Sequence, residues 1–168
     1  MKSFACFLET LVFHTWTIQL ISTLQPEGTC YQFSIHERET NKQQYYSQKC
    51  YATEAEAYLD AYFVCLRAVL DREKCPAIIV DLSTRKILSI NLPAFCLLGI
   101  DAVGFETYEF TFQEQLHEQL YQELQQTGES CQPMVLRDAD GKLMEIQMSA
   151  QIVAEFPKWA IFRIMVNS

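Results

Sequence analysis

The side chains of this chain that could do chemistry include seven cysteines and three histidines. The cysteines are scattered, without a Cys-x-x-Cys pair or clustered histidines, at positions 6, 30, 50, 65, 75, 96 and 131. Zinc sites and thioredoxin-like redox sites need such pairs. Several of these cysteines lie in apolar runs, where a free cysteine acts as a small hydrophobic residue. The pattern predicts buried, reduced thiols in a reducing compartment and no metal site.

Catalytic groups are difficult to assemble from this sequence. A nucleophile needs an adjacent base, and acid–base chemistry needs two groups with separated pKa values. Cys131 and His36 could form such a pair, but no known local signature surrounds either. Asp138, Asp140 and Gly141 fit a hairpin turn better than a calcium loop, which needs further acidic ligands. We predict no catalytic residues, and an enzyme is the class that the residues support least.

Charge and apolar patterning exclude further classes. The chain has 168 residues and a formal net charge of -8, with a pI near 4.8. Nucleic-acid binding depends on clustered Lys and Arg, so no nucleic-acid partner is predicted. The apolar run from Phe4 to Val12 is interrupted by Glu9 and lacks a small-residue cleavage site, so it fits neither a membrane span nor a secretory signal. We therefore expect no membrane partner and a cytoplasmic location.

The N-terminal part is predicted to open with a helix and continue as a sheet. Apolar residues at helical spacing predict a helix over residues 3 to 13, with Ser3 as its N-cap. Alternation of apolar and polar residues then predicts strands at residues 16 to 20, 31 to 35 and 45 to 51. Three such strands in succession predict a three-stranded meander.

A long amphipathic helix follows the meander. Thr53 and Glu56 form a capping box, and the helix must end before Pro76. Its apolar face carries Tyr58, Tyr62 and Phe63, which either pack in the core or form an interface with a second copy of the chain. Residues 1 to 72 are therefore expected to be either a small α+β domain or a dimerisation cap.

The remainder, residues 75 to 168, is predicted to be a sheet interrupted by helices. A short helix from Ala94 to Leu98 is closed by Gly99, and a second capping box, Thr111 and Glu114, begins a helix over residues 112 to 126. The last strand is apolar on both faces apart from one arginine, which predicts a central position. The predicted strands are residues 77 to 81, 87 to 90, 133 to 137, 144 to 152 and 159 to 166.

Two stretches of this part carry a family resemblance. The first is PAIIVDLSTRKILSINLPAFCLLGIDAVG at residues 76 to 104, and the second is TGESCQPMVLRDADGKLMEIQMSAQIV at residues 127 to 153. In this order they resemble a PAS domain over about residues 75 to 166. The resemblance implies an α+β fold with a five-stranded antiparallel sheet, helices on one face and an inner pocket. It also implies structural roles for Asn91, Pro93, Gly99 and Gly141.

Departures from the PAS pattern bear on cofactors. Only a short segment separates Gly99 from Gly104, so the pocket is expected to be small or filled. The surroundings of Cys96 lack the flavin-photosensing signature, and flavin chemistry is unsupported. Some haem-binding PAS domains use a histidine on the longer helix, where this chain has His117. We predict no cofactor, with haem as the alternative.

The resemblance also guides the functional prediction. A pocket is expected to be lined by residues chosen from facing and apolarity: Ile79, Phe95, Leu116, His117, Leu120, Met148 and Phe162. No output domain follows the last strand, so we predict a stand-alone regulatory module that acts in cytoplasmic signal transduction through a protein partner, with a homodimer as one arrangement. The alternative is a sensor of a small molecule or haem-type cofactor.

Overall fold

The computed structural model describes residues 5–13, 16–111, 113–154 and 156–167, and gives the first of these segments as backbone. The chain divides into two compact units, Met1–Ala68 and Val69–Ser168. Each unit contains one antiparallel sheet, and the chain also forms helices, so the predicted α+β class is confirmed.

The sheet of the first unit has four strands in sequence order. The strands are β1 (Ala5–Phe13), β2 (Trp16–Gln25), β3 (Gly28–Glu37) and β4 (Gln43–Tyr46). The three strands of the predicted meander are present, and β2 pairs with β3 from Trp16–Glu37 to Gln25–Gly28 without a break in register.

The additional strand β1 corrects the prediction of a helix over residues 3 to 13. Its backbone pairs with β2 from Ala5–Thr23 to Phe13–Trp16, with an irregularity between Phe7 and Thr10. Periodicity alone cannot separate a short apolar helix from a strand, and pairing with the adjacent β2 decides the structure here. The predicted cap Ser3 lies outside the described residues.

The core of the first unit is formed by cross-strand pairs. Ile18 lies opposite Ile35 and Leu20 opposite Phe33, and all four are buried. The Phe33 ring stacks on Tyr45, with 5.6 Å between ring centroids. These direct pairs bury the apolar face of the sheet.

The first helix, α1 (Glu54–Arg72), has the predicted start. The Thr53 hydroxyl accepts a hydrogen bond from the Glu56 N–H at 3.2 Å, and the Glu56 carboxylate accepts one from the Ala52 N–H at 3.2 Å. The reciprocal bond thus reaches one residue beyond the cap. The Tyr51 backbone pairs with Tyr31 of β3 in an isolated bridge. The Tyr51 hydroxyl donates a hydrogen bond to the Asp60 carboxylate, which connects α1 to the sheet.

Cys30 and Cys50 form a disulfide, which corrects the prediction that all seven cysteines are reduced thiols. The pairing of Tyr31 with Tyr51 brings the two chain segments together, and the Cys30 and Cys50 Cα atoms lie 5.3 Å apart. The free cysteines among the described residues are Cys65, Cys75, Cys96 and Cys131. The cytoplasmic location remains a prediction, and it loses the support drawn from reduced cysteines.

The second unit has a five-stranded antiparallel sheet. Its strands are β5 (Ala77–Asp81), β6 (Ile87–Ile90), β7 (Glu129–Arg137), β8 (Leu143–Ile152) and β9 (Trp159–Val166). They lie in the order β6-β5-β9-β8-β7, so the last strand is central, as its two apolar faces predicted. The helices are α2 (Leu92–Leu98), a 3-10 helix (Thr107–Phe110) and α3 (Glu114–Thr127).

One face of this sheet forms the main core with the helices. Strand β8 shows the division clearly, because Ile146, Met148 and Ala150 are buried in the core, whereas Glu145 and Gln147 alternate with them on the other face. Side chains of α2 and α3 complete the same cluster. The two-residue period of the strand thus directs its apolar residues toward the helices.

Several backbone positions at the two edges of this sheet are not open to pairing with another strand. On β7, Pro133 has no N–H, and the Val135 N–H donates to the Gln113 side chain at 2.8 Å. On β6, the Ile87 N–H donates to the Phe105 carbonyl at 2.9 Å, and the Ile87 carbonyl accepts from the Gly104 N–H at 2.8 Å. The segment after α2 therefore lies along the edge of β6.

Gly99 ends α2 in the left-handed conformation, with φ of 73°. A Cβ atom at this position would lie 2.6 Å from the Ala139 Cβ, so the turn of the β7–β8 hairpin approaches closely. The Ala139 N–H also donates to the Leu97 carbonyl at 2.8 Å. Gly99 therefore permits both the end of the helix and the contact with the hairpin.

Candidate functional site

Asn91 joins three segments of the second unit. Its Oδ1 accepts hydrogen bonds from the Ala94 N–H and the Ala77 N–H, each at 3.0 Å. Its Nδ2 donates to the Cys75 carbonyl at 2.9 Å and the Leu70 carbonyl at 3.3 Å. The residue is buried, and all of these partners are backbone groups. This arrangement fits a structural role rather than a ligand site.

A buried polar cluster lies between the 3-10 helix and α3. His117 Nδ1 is 3.2 Å from the Thr107 hydroxyl, and His117 Nε2 is 2.6 Å from the Thr111 hydroxyl. The Thr107 hydroxyl is also 3.1 Å from the Tyr121 hydroxyl. All four side chains are at most 4% exposed. We call this group the histidine cluster.

One assignment of hydrogens gives every hydroxyl in the histidine cluster an acceptor. Tyr121 donates to Thr107, Thr107 to His117 Nδ1, and His117 Nε2–H to Thr111, whose hydroxyl reaches the Tyr108 carbonyl at 3.4 Å. The histidine is neutral in this arrangement. Burial lowers the pKa of His117 to about 4 and raises that of Tyr121 to about 12, because both charged forms lose solvation.

Thr111 therefore does not have the predicted capping role. Helix α3 begins at Glu114 after Gln113, whose side chain makes no cap hydrogen bond. The Gln113 side chain accepts from β7 instead, and the Thr111 hydroxyl is used by His117. The capping box at this end belongs to the 3-10 helix, where Glu106 and Glu109 bond reciprocally. Phe112, the first residue of the predicted helix, lies outside the described residues.

An ion pair lies beside the histidine cluster. The Arg85 guanidinium donates to Glu118 at 2.5 and 3.2 Å, and it stands 4.6 Å from the centroid of the Tyr121 ring. Both charged side chains are more than one third exposed, so solvent screens the pair. Arg85 itself has φ of 61°. The sequence pattern did not reveal the pairing of Arg85 with Glu118 or of Thr107 with His117, since only the fold brings these residues together.

The structure brings together most of the predicted pocket residues. Leu120, Met148 and Phe162 belong to the core cluster, and Leu116 packs against it. His117 lies in the polar cluster just described. Both of its ring nitrogens have hydroxyl partners, so an iron ligand role would require one of these bonds to break.

Ile79 and Phe95 lie elsewhere, which corrects those two placements. Ile79 is buried, but its neighbours Ile78 and Val80 face the helices, so Ile79 points to the opposite face of the sheet. Phe95 is 44% exposed because α2 buries Ala94 and Leu98 instead. The repeat of a strand or helix shows which residues share a face, but it does not show which face is turned toward the helical layer. For these two residues the opposite face was assigned.

Phe95 is part of an exposed apolar surface on the helical layer. Large apolar side chains between 38% and 72% exposed recur along α2 and the segment that follows it. We call this the α2 surface, and its members are Leu92, Phe95, Ile100, Val103, Phe105 and Tyr108. Such a concentration of exposed apolar side chains is typical of interaction surfaces.

A cleft of about 290 Å³ lies beside β7 and β8, and none of the predicted pocket residues lines it. Its lining includes Gln113, Pro133, Glu145 and Asn167. Among the described residues, no group of three or more His, Cys, Asp or Glu side chains could hold a metal ion. Within the same ranges, no helix is both long and apolar enough to cross a membrane.

The predicted interface residues of α1, Tyr58, Tyr62 and Phe63, are all half-buried. This exposure is compatible with core and with interface, so their role as an interface stays a prediction.

No family model matches the chain, and no curated protein matches it. Solved structures do match. The LOV protein of Rhodobacter sphaeroides has 17% sequence identity and a TM-score of 0.56, over 64% of this chain and 68% of that protein. A PAS domain from Colwellia psychrerythraea has 15% identity and a TM-score of 0.54, over 62% of this chain and 97% of that domain.

A third match is the PAS domain from a two-component sensor histidine kinase, with 10% identity and a TM-score of 0.52, over 65% of this chain and 99% of that domain. The second unit of this chain has a PAS-like fold. The predicted PAS resemblance is therefore confirmed at the level of fold.

Proposed function

We propose that this protein is a regulatory module that acts in signal transduction through contacts with another protein. The observation that carries the proposal is the α2 surface, because its apolar side chains remain exposed beside a well-packed core. Burial of such side chains against a partner is favourable by roughly 25 cal/mol for each Å² removed from water. The PAS-like fold, shared with a domain of a sensor histidine kinase, supports a signalling context.

The histidine cluster supports a regulatory rather than a catalytic role. Its hydroxyls and ring nitrogens bond to one another and are buried, so they present no reactive group to a substrate. The low pKa of His117 keeps this base neutral at pH 7. The proposal therefore involves no catalytic step and no cofactor, and the cytoplasm is its proposed place of action.

The test uses the full chain as bait in its native host, with partners identified by mass spectrometry. We expect a signalling protein to be recovered by the native chain and lost with Leu92→Ser/Phe95→Ser. Leu143→Ser is the matched control, since Leu143 is an exposed leucine of the β7–β8 hairpin outside the α2 surface. The proposal is wrong if the native and doubly substituted chains recover the same identified proteins.

A further inference from the structure

The charge around the α2 surface is mainly negative. Exposed Lys86 is a cation at its edge, where its backbone pairs with that of Glu106. No Lys or Arg occurs between Lys86 and Arg137, and His117 within this stretch is buried and neutral. Arg85 is paired with Glu118, and it also interacts electrostatically with Glu106. The acidic residues of the same stretch are Asp101, Glu106, Glu109, Glu114, Glu118, Glu123 and Glu129.

The negative charge reaches the apolar side chains themselves. Tyr108 is an exposed member of the α2 surface, and the charge of Glu106, with smaller contributions from Glu109 and Glu114, raises the pKa of its hydroxyl. The Glu109 carboxylate is held next to Glu106, where it accepts the Glu106 N–H at 2.6 Å. The surface therefore combines apolar contact area with a fixed negative potential.

The backbone of the α2 surface is held in place before any partner binds. Phe105 and Gly104 bond to Ile87 on the edge of the sheet, and Gly99 closes α2 against the β7–β8 hairpin. On α2, Leu92 and Phe95 lie three residues apart on the exposed face. Because these segments are already ordered, binding costs less conformational entropy than it would for a flexible loop.

We propose that the α2 surface binds a cationic amphipathic segment of another protein, with apolar side chains on one face and Lys or Arg beside them. This inference rests on the proposed function and specifies the chemistry of the partner. Apolar contacts would anchor the segment, and the acidic residues would select its charge. A second copy of this chain would place like charges together, and an anionic lipid surface would also be repelled.

The test measures binding of defined peptides to the full chain by fluorescence anisotropy. The probe is a labelled amphipathic helical peptide of Leu and Lys, and its control has every Lys replaced by Glu. We expect the Lys peptide to bind at least about tenfold more tightly than the Glu peptide, with an advantage that falls as salt rises. A shuffled Leu and Lys peptide, which has no apolar face, should bind weakly.

Two variants separate the apolar and charged contributions. Leu92→Ser/Phe95→Ser should weaken binding of the Lys peptide at least about tenfold, whereas Leu143→Ser should leave it unchanged. Asp101→Asn/Glu109→Gln should weaken binding several-fold and reduce its dependence on salt. The amides keep the acceptors now bonded to the Val103 and Glu106 N–H groups, so this variant changes charge with little effect on the fold.

Each contrary result has a specific meaning. Equal binding of the Glu peptide, or unchanged binding after Asp101→Asn/Glu109→Gln, would overturn the inferred charge and leave the proposed protein contact standing. An equal loss with Leu143→Ser, or no peptide binding, would also overturn the inference. Binding to phosphatidylglycerol vesicles, or a dimer in sedimentation equilibrium that Leu92→Ser/Phe95→Ser abolishes, would assign the surface to lipid or to a second copy. The proposed function is judged separately, by the identified host partner.

Discussion

At the scale of single residues, Asn91 is the strongest test of the second unit. Asn91→Ala would remove four hydrogen bonds and leave the Ala77 and Ala94 N–H groups without this acceptor. Each buried group left without a partner costs about 1 to 3 kcal/mol, so we expect the free energy of unfolding to fall by about 3 kcal/mol or more. Urea denaturation measures this change.

Asn167→Ala is the matched control for Asn91. Asn167 is exposed, and the hydrogen bond that its backbone N–H donates to the Glu145 carbonyl does not involve its side chain. We expect a change within about 0.5 kcal/mol. Similar losses for the two variants would contradict the role assigned to Asn91.

His117 should make stability depend on pH. Its pKa is about 4 in the folded chain against an ordinary 6.5, so the unfolded chain binds the proton more readily. The contribution is therefore fully present above about pH 6.5 and is lost as pH falls toward 4, by about 3 kcal/mol in total. Protonation would also turn Nδ1 from an acceptor into a donor, and Thr107 would lose its acceptor.

The measurement compares unfolding free energies of the native chain and His117→Gln between pH 7 and pH 4. Other groups titrate in both proteins, so the difference between the two curves reports His117. We expect the native chain to lose more stability than the variant over this range. Parallel curves, or an NMR titration of His117 with a midpoint near 6.5, would show that the ring is not buried as described.

Residue-level chemistry was partly readable from the sequence. A buried Asn between a strand and a helix can be anticipated, because its side chain competes well for backbone groups. The hydroxyl partners of His117 could not be anticipated, since Thr107 and Thr111 reach its ring only through tertiary folding. The same holds for Cys30 and Cys50, whose proximity depends on the pairing of Tyr31 with Tyr51.

At the scale of elements, the end of α2 depends on Gly99. Gly99→Ala combines a positive φ, which costs a non-glycine residue roughly 1 to 2 kcal/mol, with a contact of 2.6 Å between Cβ atoms. We expect the unfolding free energy to fall by about 2 kcal/mol or more. Gly141→Ala is the control, because Gly141 has φ of 79° and open space around it.

The difference between the two glycine variants measures the contact with Ala139. Adding Ala139→Gly to Gly99→Ala should recover part of the lost unfolding free energy, because it removes the Ala139 Cβ that the new Cβ at position 99 would contact. Thermal unfolding followed by circular dichroism gives both values. Equal losses at Gly99 and Gly141, with no recovery, would mean that the hairpin does not pack against the end of α2.

Elements were predicted best where local and tertiary preferences agree. The capping box at Thr53, the stop at Pro76 and a continuous apolar face predicted α1, and Gly99 ends α2 with a positive φ as predicted. Predictions failed where a tertiary partner outweighed a local preference. Residues 5 to 13 form a strand because β2 is available for pairing. The Thr111 hydroxyl is hydrogen-bonded to His117 and does not cap α3.

At the scale of the whole molecule, the disulfide should stabilise the first unit. It closes a loop with a sequence separation of 20 residues, for which chain entropy predicts about 3 kcal/mol. Cys30→Ser should lower the unfolding free energy by about that amount, and the exposed Cys131→Ser should not. Trp16 fluorescence in a Trp159→Phe background follows the first unit during urea denaturation.

Intact-mass measurement provides an independent check of the same bond. Without reductant, Cys30 and Cys50 should resist alkylation in the denatured chain, and with reductant both should react. Alkylation of both residues without reductant would contradict the disulfide and restore the prediction of reduced thiols.

The five-stranded antiparallel sheet of the second unit was accessible from the sequence because the resemblance to PAS domains supplied a fold, although the order of its strands was not predicted. The placement of β9 followed independently from its two apolar faces. The four-stranded sheet of the first unit had no such guide, and its first strand was missed.

The blocked edges of the second sheet restrict how this unit can associate with other molecules. Pro133 and the Gln113-bonded Val135 leave β7 poorly suited to backbone pairing with an incoming strand, and Ile87 on β6 is already bonded on both backbone groups. At these positions the fold resists sheet extension, the route by which strands polymerise into fibrils. Recognition at these positions therefore has to rely on side chains, which allows it to be selective and reversible.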